Sequence, residues 1–124
     1  MKNKVRIEIQ YFEDCQNSKV MIQRVESAIK NLNVEYKKTL VEDYYYALKI
    51  GFRGSPTLLI NDIDFEDLCS PKEPGLSCRY YKNGMPTIKE IKNKILLTII
   101  RSNNESNNKD HIFCIGGLFN FSLF

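Results

Sequence analysis

The apolar residues of this chain change period between Phe12 and Ser18, and that change constrains the fold more than any other feature. Residues 4–12, KVRIEIQYF, alternate, with Ile7, Ile9 and Tyr11 on one face and Arg6, Glu8 and Gln10 on the other. That period of two predicts a strand. A polar break, EDCQNS, follows. From Ser18 onward Met21, Val25, Ala28, Ile29 and Leu32 fall at helical spacing, while Lys19, Gln23, Arg24, Glu26 and Lys30 face outward. Residues 34–42, VEYKKTLVE, form a second strand, polar enough to lie near a sheet edge. Two strands joined through a helix call for a parallel, right-handed crossover.

The rest of the chain continues in short elements. DYYYALKIGF (43–52) predicts a short helix capped by Asp43 and stopped by Gly51. PTLLIN (56–61) is an apolar strand, and residues 76–82 form a further strand that runs into an Asn83–Gly84 turn. Within that strand a period of two points Leu76 and Cys78 inward. Pro86 opens a last helix over 86–100, with Ile88, Ile91, Ile95, Leu96 and Ile99 as its buried stripe. The order βαβαββα predicts an α/β fold: a four-stranded mixed sheet with helices on both faces.

Composition narrows the class. At 124 residues, with 43% hydrophobic and 27% charged residues, the chain has the balance of one ordinary globular domain. The net charge of +3 is spread along the chain, which argues against nucleic acid or an anionic membrane as partner. The N-terminus turns straight into a strand with no apolar leader, so the expected compartment is the cytoplasm. After residue 100 the composition shifts. Residues 101–110, RSNNESNNKD, read as a linker, and 111–124, HIFCIGGLFNFSLF, as an apolar appendage too short for a bilayer helix of roughly 20 residues. The domain is therefore expected over 1–100, with the tail over 101–124.

The four cysteines, Cys15, Cys69, Cys78 and Cys114, are irregularly spaced and contain no C-x-x-C pair. A zinc ribbon is not expected, and neither a cofactor nor a metal is called for. Cys15 stands at the C-terminal end of the first strand, where the helix begins, and GFRGSPT (51–57) places Pro56 at the mouth of an apolar strand. Proline is tolerated at a strand's first residue, and X-Pro is the one bond where a cis peptide costs little. A cysteine at the strand-to-helix turn and a Ser-Pro-Thr strand start resemble the thioredoxin-like superfamily over residues 4 to about 100. YFEDCQNS, GFRGSPTLLIND and GLSCRYYKNGMPTIKEI are further similar to a group of small single-cysteine or selenocysteine proteins, some labelled alkylmercury-lyase-like. The chain departs from these at Gln16, where many have proline, and from thioredoxin proper at Ser18, where the second cysteine would stand.

The resemblance implies that Cys15 is a nucleophile and that a cis Pro56 lies against its sulfur. The backbone of Ser55 would then be left free to pair with an extended substrate, with Arg53, Ser55 and Thr57 as substrate-binding residues. The helix start favours a thiolate at Cys15, and Ser18 offers a hydroxyl hydrogen bond, while Glu13 and Asp14 oppose a further negative charge. The expectation is a moderately acidic, reactive thiol. Cys69 and Cys78 leave three readings open: a disulfide with each other, a resolving role for one of them toward Cys15, or two unrelated thiols. The only histidine, His111, lies in the tail, so a Cys–His pair is not expected.

Two functions compete. The first is thiol–disulfide exchange through the single nucleophile Cys15, with a disulfide-containing protein or a low-molecular-weight thiol as partner. External thiol, Cys78 or Cys69 would resolve the mixed disulfide. The second is a non-catalytic thioredoxin-like module that binds a protein partner or a soft metal ion.

Overall fold

A computed structural model describes residues 4–104. The sheet forms around β1 (Arg6–Tyr11), which pairs in parallel with β2 (Glu35–Leu40) across the helix α1 (Gln16–Ala28). The crossover expected from the change of period is present. After β2 comes α2 (Tyr44–Ile50), whose Asp43 carboxylate accepts from the Tyr46 amide at 2.9 Å and whose stop, Gly51, lies at φ 67°. β3 (Thr57–Ile60) returns antiparallel to β1 on the side away from β2.

The fourth strand is not where the sequence pattern put it. β4 is Ile63–Asp64, paired antiparallel with β3, and the sheet order is β2-β1-β3-β4. Asn61 and Asp62 join the two strands at φ 53° and 68°, the positive values that a two-residue primed turn requires. The turn is fixed further by exchange with β1: the Asn61 amide donates to the Arg6 carbonyl, and the Arg6 amide donates to the Asn61 side chain, both at 2.8 Å.

Residues 76–82, expected as a strand, touch the sheet by one parallel bridge, Ser55 to Cys78. Their alternation is real, but its phase is the reverse of the expected one. Arg79 and Tyr81 are buried, whereas Leu76 is 43% and Tyr80 is 84% exposed, and Cys78 is exposed as well. The cause is an ion pair. Arg79 reaches both carboxylate oxygens of the fully enclosed Asp64, at 2.6 and 2.7 Å, and drives the next residue in register outward.

The last helix, α3 (Ile88–Asn104), starts two residues after Pro86. Thr87 caps it reciprocally: the Glu90 amide donates to the Thr87 hydroxyl and the Thr87 amide donates to the Glu90 carboxylate, at 3.1 and 3.0 Å. α3 continues four residues into the segment expected as a linker, and residues 105–124, with the tail expectations that fall there, lie outside the described residues.

The main core joins Ile7, Ile9, Leu58 and Ile60 of the sheet to Met21 and Val25 of α1 and to Ile91 and Ile95 of α3. A second, smaller cluster of Val41, Ala47 and Phe52 seats α2. The result is a mixed four-stranded α/β sheet in the order β2-β1-β3-β4. No helix among the described residues is long and apolar enough to cross a membrane.

Candidate functional site

β1 ends at Tyr11, and the chain turns so that Cys15 becomes the N-cap of α1, in extended conformation at φ −92°. The Cys15 side chain makes no capping bond, so its sulfur is free to face the sheet. The start of β3 meets it there. The Ser55–Pro56 peptide is cis, and Ser55 is fully buried. The Cys15 thiol lies 3.5 Å from the Ser55 carbonyl oxygen.

Ser18, one turn along α1, is buried and its hydroxyl lies 2.8 Å from the Ser55 hydroxyl. The Ser55 Oγ also accepts from the Phe12 amide at 3.1 Å. Each hydroxyl carries one proton, and one of the two protons is spent on the bond between them. A single hydroxyl proton is thus left for the sulfur, supplied by Ser18 or by Ser55 according to which way that bond runs.

The second sulfur comes from far along the chain. Cys78 Sγ lies 3.3 Å from Cys15 Sγ, across 63 residues of sequence. Burial works against a charge on Cys15, but the hydroxyl hydrogen bond that the Ser18–Ser55 pair can donate and the contact with Cys78 outweigh it, and the thiol lies below the ordinary cysteine value. Cys78 moves the other way: its bond to Cys15, a little burial and the nearby charge all push its thiol up. The two shifts are the two ends of one sulfur–sulfur contact, in which either thiol can donate to the other.

What covers the site was not legible in the sequence. Ser55 was expected to offer its backbone to an extended substrate. Instead its amide donates to the Ser77 carbonyl at 2.9 Å, and its carbonyl accepts from the Arg79 amide at 2.7 Å. Residues 77–79 occupy that edge themselves. Gly54 permits the approach: at φ 102° it favours glycine, and a Cβ there would stand 3.0 Å from the Arg79 Cβ. Beyond the bridge, the Tyr81 hydroxyl donates to the Pro56 carbonyl at 2.6 Å, and the Arg79 guanidinium lies 4.4 Å from the Tyr81 ring centroid.

The residues expected to bind substrate have other tasks here. Thr57 is fully buried and donates to the Gly54 carbonyl at 2.6 Å, while Arg79 approaches its oxygen at 3.4 Å. Arg53 donates to the Leu68 carbonyl at 2.9 Å and lies 4.0 Å from Asp64, so its charge serves the 64–68 loop and not Cys15. Asp64 is the organising group that sequence reasoning missed. Besides Arg79 it accepts the amides of Glu66 and Leu68, at 2.8 and 3.2 Å. Of the two cysteines considered as resolving partners, Cys78 is at the site, whereas Cys69 is engaged elsewhere and Cys15 and Cys78 both carry free thiols.

Among the described residues no group of three or more candidate metal ligands comes together. Two surface clefts lie away from the sulfurs, one beside Arg6, Glu8, Tyr36 and Asp62, the other beside Lys38, Leu40, Asp43 and Tyr46. The chemistry that the site supports is that of two adjacent thiols with opposite pKa shifts.

No family model and no curated protein matches the chain. Among solved structures, a thioredoxin-like protein from Bacillus cereus ATCC 10987 is similar over 77% of this chain and 88% of its own, with 22% identity and a TM-score of 0.44.

Proposed function

We propose that this protein carries out thiol–disulfide exchange, with Cys15 and Cys78 cycling between a dithiol and an internal disulfide. The observation that carries this reading is the 3.3 Å separation of two free sulfurs. A disulfide bond is about 2.05 Å long, so the sulfurs need to close by only about 1.3 Å. Ser18 stands where a second helix-start cysteine would, in keeping with the likeness to small single-cysteine proteins, and the second thiol is supplied from residue 78 instead.

The reaction balances with an external disulfide as oxidant. One protein thiolate attacks it, forms a mixed disulfide and releases one thiolate. The other protein sulfur then attacks the mixed disulfide, forms the Cys15–Cys78 bond and releases the second. The substrate disulfide gains two electrons and two protons, and the protein dithiol loses them. A low-molecular-weight thiol of a cytoplasmic setting runs the return. Ser18 and Ser55 act by holding the Cys15 thiolate, and Pro56 by fixing the backbone that carries Ser55 against it.

The test is to oxidise the reduced protein with glutathione disulfide and digest it without reduction. Mass spectrometry should find the Cys15 and Cys78 peptides joined, and the joined species should be lost in Cys15→Ser and in Cys78→Ser. If the wild type yields no joined peptide under conditions that oxidise ordinary dithiols, the exchange reading fails. The module that binds a protein or a soft metal then takes its place.

A further inference from the structure

We propose that the sulfur which exchanges with the outside partner is Cys78, and that Cys15 is the internal sulfur which resolves the mixed disulfide. This rests on the Cys15–Cys78 pair proposed above and reverses the order that the position of Cys15 at a helix start implies.

Access decides the matter first. Cys15 is 1% exposed, enclosed by Ser18, Ser55 and Cys78, whereas Cys78 is open to solvent. Exchange requires the incoming sulfur to reach the sulfur it attacks, and only one of the two can be reached.

The cover over Cys15 is firmly held, so a partner does not simply lift it. Ser77 and Arg79 are bonded to Ser55, Tyr81 to Pro56, and Arg79 to Asp64 through two short ionic contacts. Removing one partner of a buried ion pair is strongly unfavourable. The backbone geometry gives the same answer. In a parallel bridge the residue opposite the bonded one turns its own amide and carbonyl the other way. The backbone groups of Cys78 therefore face away from Ser55, and among the described residues no partner takes them.

The direction of bond breaking completes the assignment. When a thiolate attacks Cys78 in the internal disulfide, the bond between Cys15 and Cys78 breaks and the electron pair stays on Cys15. That is the sulfur with hydroxyl hydrogen bonds and the helix start to receive it, and a thiol of lower pKa leaves faster. Run backward, the Cys78 thiol attacks an external disulfide as it gives up its proton, which the released thiolate takes up, and Cys78 becomes a mixed disulfide. Cys15 then attacks Cys78 Sγ and expels the second thiolate.

The experiment starts from the purified internal disulfide, treats it with a pulse of glutathione, quenches it with acid and maps the adducts by peptide mass spectrometry. At least about tenfold more glutathione is expected on Cys78 than on Cys15. In parallel, Cys15→Ser treated with glutathione disulfide should hold a stable adduct on Cys78, while Cys78→Ser gains its adduct more slowly. Glutathione found chiefly on Cys15, or faster labelling of Cys78→Ser than of Cys15→Ser, would overturn the assignment. Absence of the starting disulfide would instead overturn the reading on which it rests, so the two failures are distinct.

Discussion

Cys15 and Cys78 lie 3.3 Å apart, yet the segments that carry them are held by different forces. The Cys15 side is built from regular structure. Ile9 and Tyr11 lead out of a central strand, and Met21 and Val25 pin the helix that follows to the main core. The Cys78 side has almost no regular structure. A backbone bridge, the Tyr81 ring seated in the main core with its hydroxyl bond, and the ion pairs of Arg79 with Asp64 and Glu66 hold it in place. The lesson is that a site with two thiols need not draw both from one local motif. A buried charge pair can present the second sulfur as firmly as a helix presents the first.

Breaking that ion pair should separate the two sides most. Asp64→Ala leaves the buried Arg79 with only the more distant Glu66, at 3.5 Å, and should cost about 3–5 kcal/mol, measured by urea unfolding. Its Cys15–Cys78 disulfide should also form more slowly than in the wild type. If the disulfide forms at the wild-type rate, Asp64 does not position Cys78.

The next largest effect falls on the Cys15 side. Ser18→Ala removes a member of the hydroxyl pair that stabilises the Cys15 thiolate, and a hydrogen bond to a charged group is worth about 1.5–3 kcal/mol. The Cys15 pKa should rise toward the ordinary cysteine value. Because the wild-type thiol lies below the ordinary value, its thiolate is present at pH values where a free cysteine is still protonated, and the variant loses that advantage. The pH profile of alkylation at the Cys15 peptide, measured in a Cys78→Ser background so that the second thiol does not compete, should shift to higher pH. An unmoved profile would show that the hydroxyls do not serve the sulfur.

Tyr81→Phe weakens the Cys78 side more gently. It removes the bond to the Pro56 carbonyl and should cost about 1 kcal/mol in unfolding, with the Cys15 pKa unchanged. Asp43→Ala is the control that belongs to neither side. Losing the cap of α2 should cost about 1 kcal/mol and leave both sulfurs' reactivity as it was.

Elements with a local period could be read in advance: β1, α1, β2, α2, β3 and α3 all stand where apolar spacing placed them. β4 could not, because two residues carry no period. Its signal was the Asn61–Asp62 pair between apolar runs, a turn that reads more weakly than Asn-Gly. The 76–82 segment shows a different limit. Its alternation was visible, but hydrophobicity assigned the inward phase to Leu76 and Cys78. The carboxylate that draws Arg79 inward lies 15 residues earlier, and no local pattern announces it. Cys15 could be singled out from its place ahead of a helix, whereas its meeting with Cys78 depends on that same distant contact.

The bridge between Ser55 and residues 77–79 also governs how the sheet ends. β4 and the Phe65 amide cover the outer edge of β3 as far as Leu58, and the bridge closes the stretch that remains at Ser55. At the opposite border β2 carries Lys37 and Lys38, charges that discourage a second strand from pairing there. Substitutions that unseat residues 77–79 would therefore do more than disturb two thiols. They would leave bare amide and carbonyl groups at the mouth of an apolar strand, and such variants should show a rising tendency to aggregate as their concentration increases.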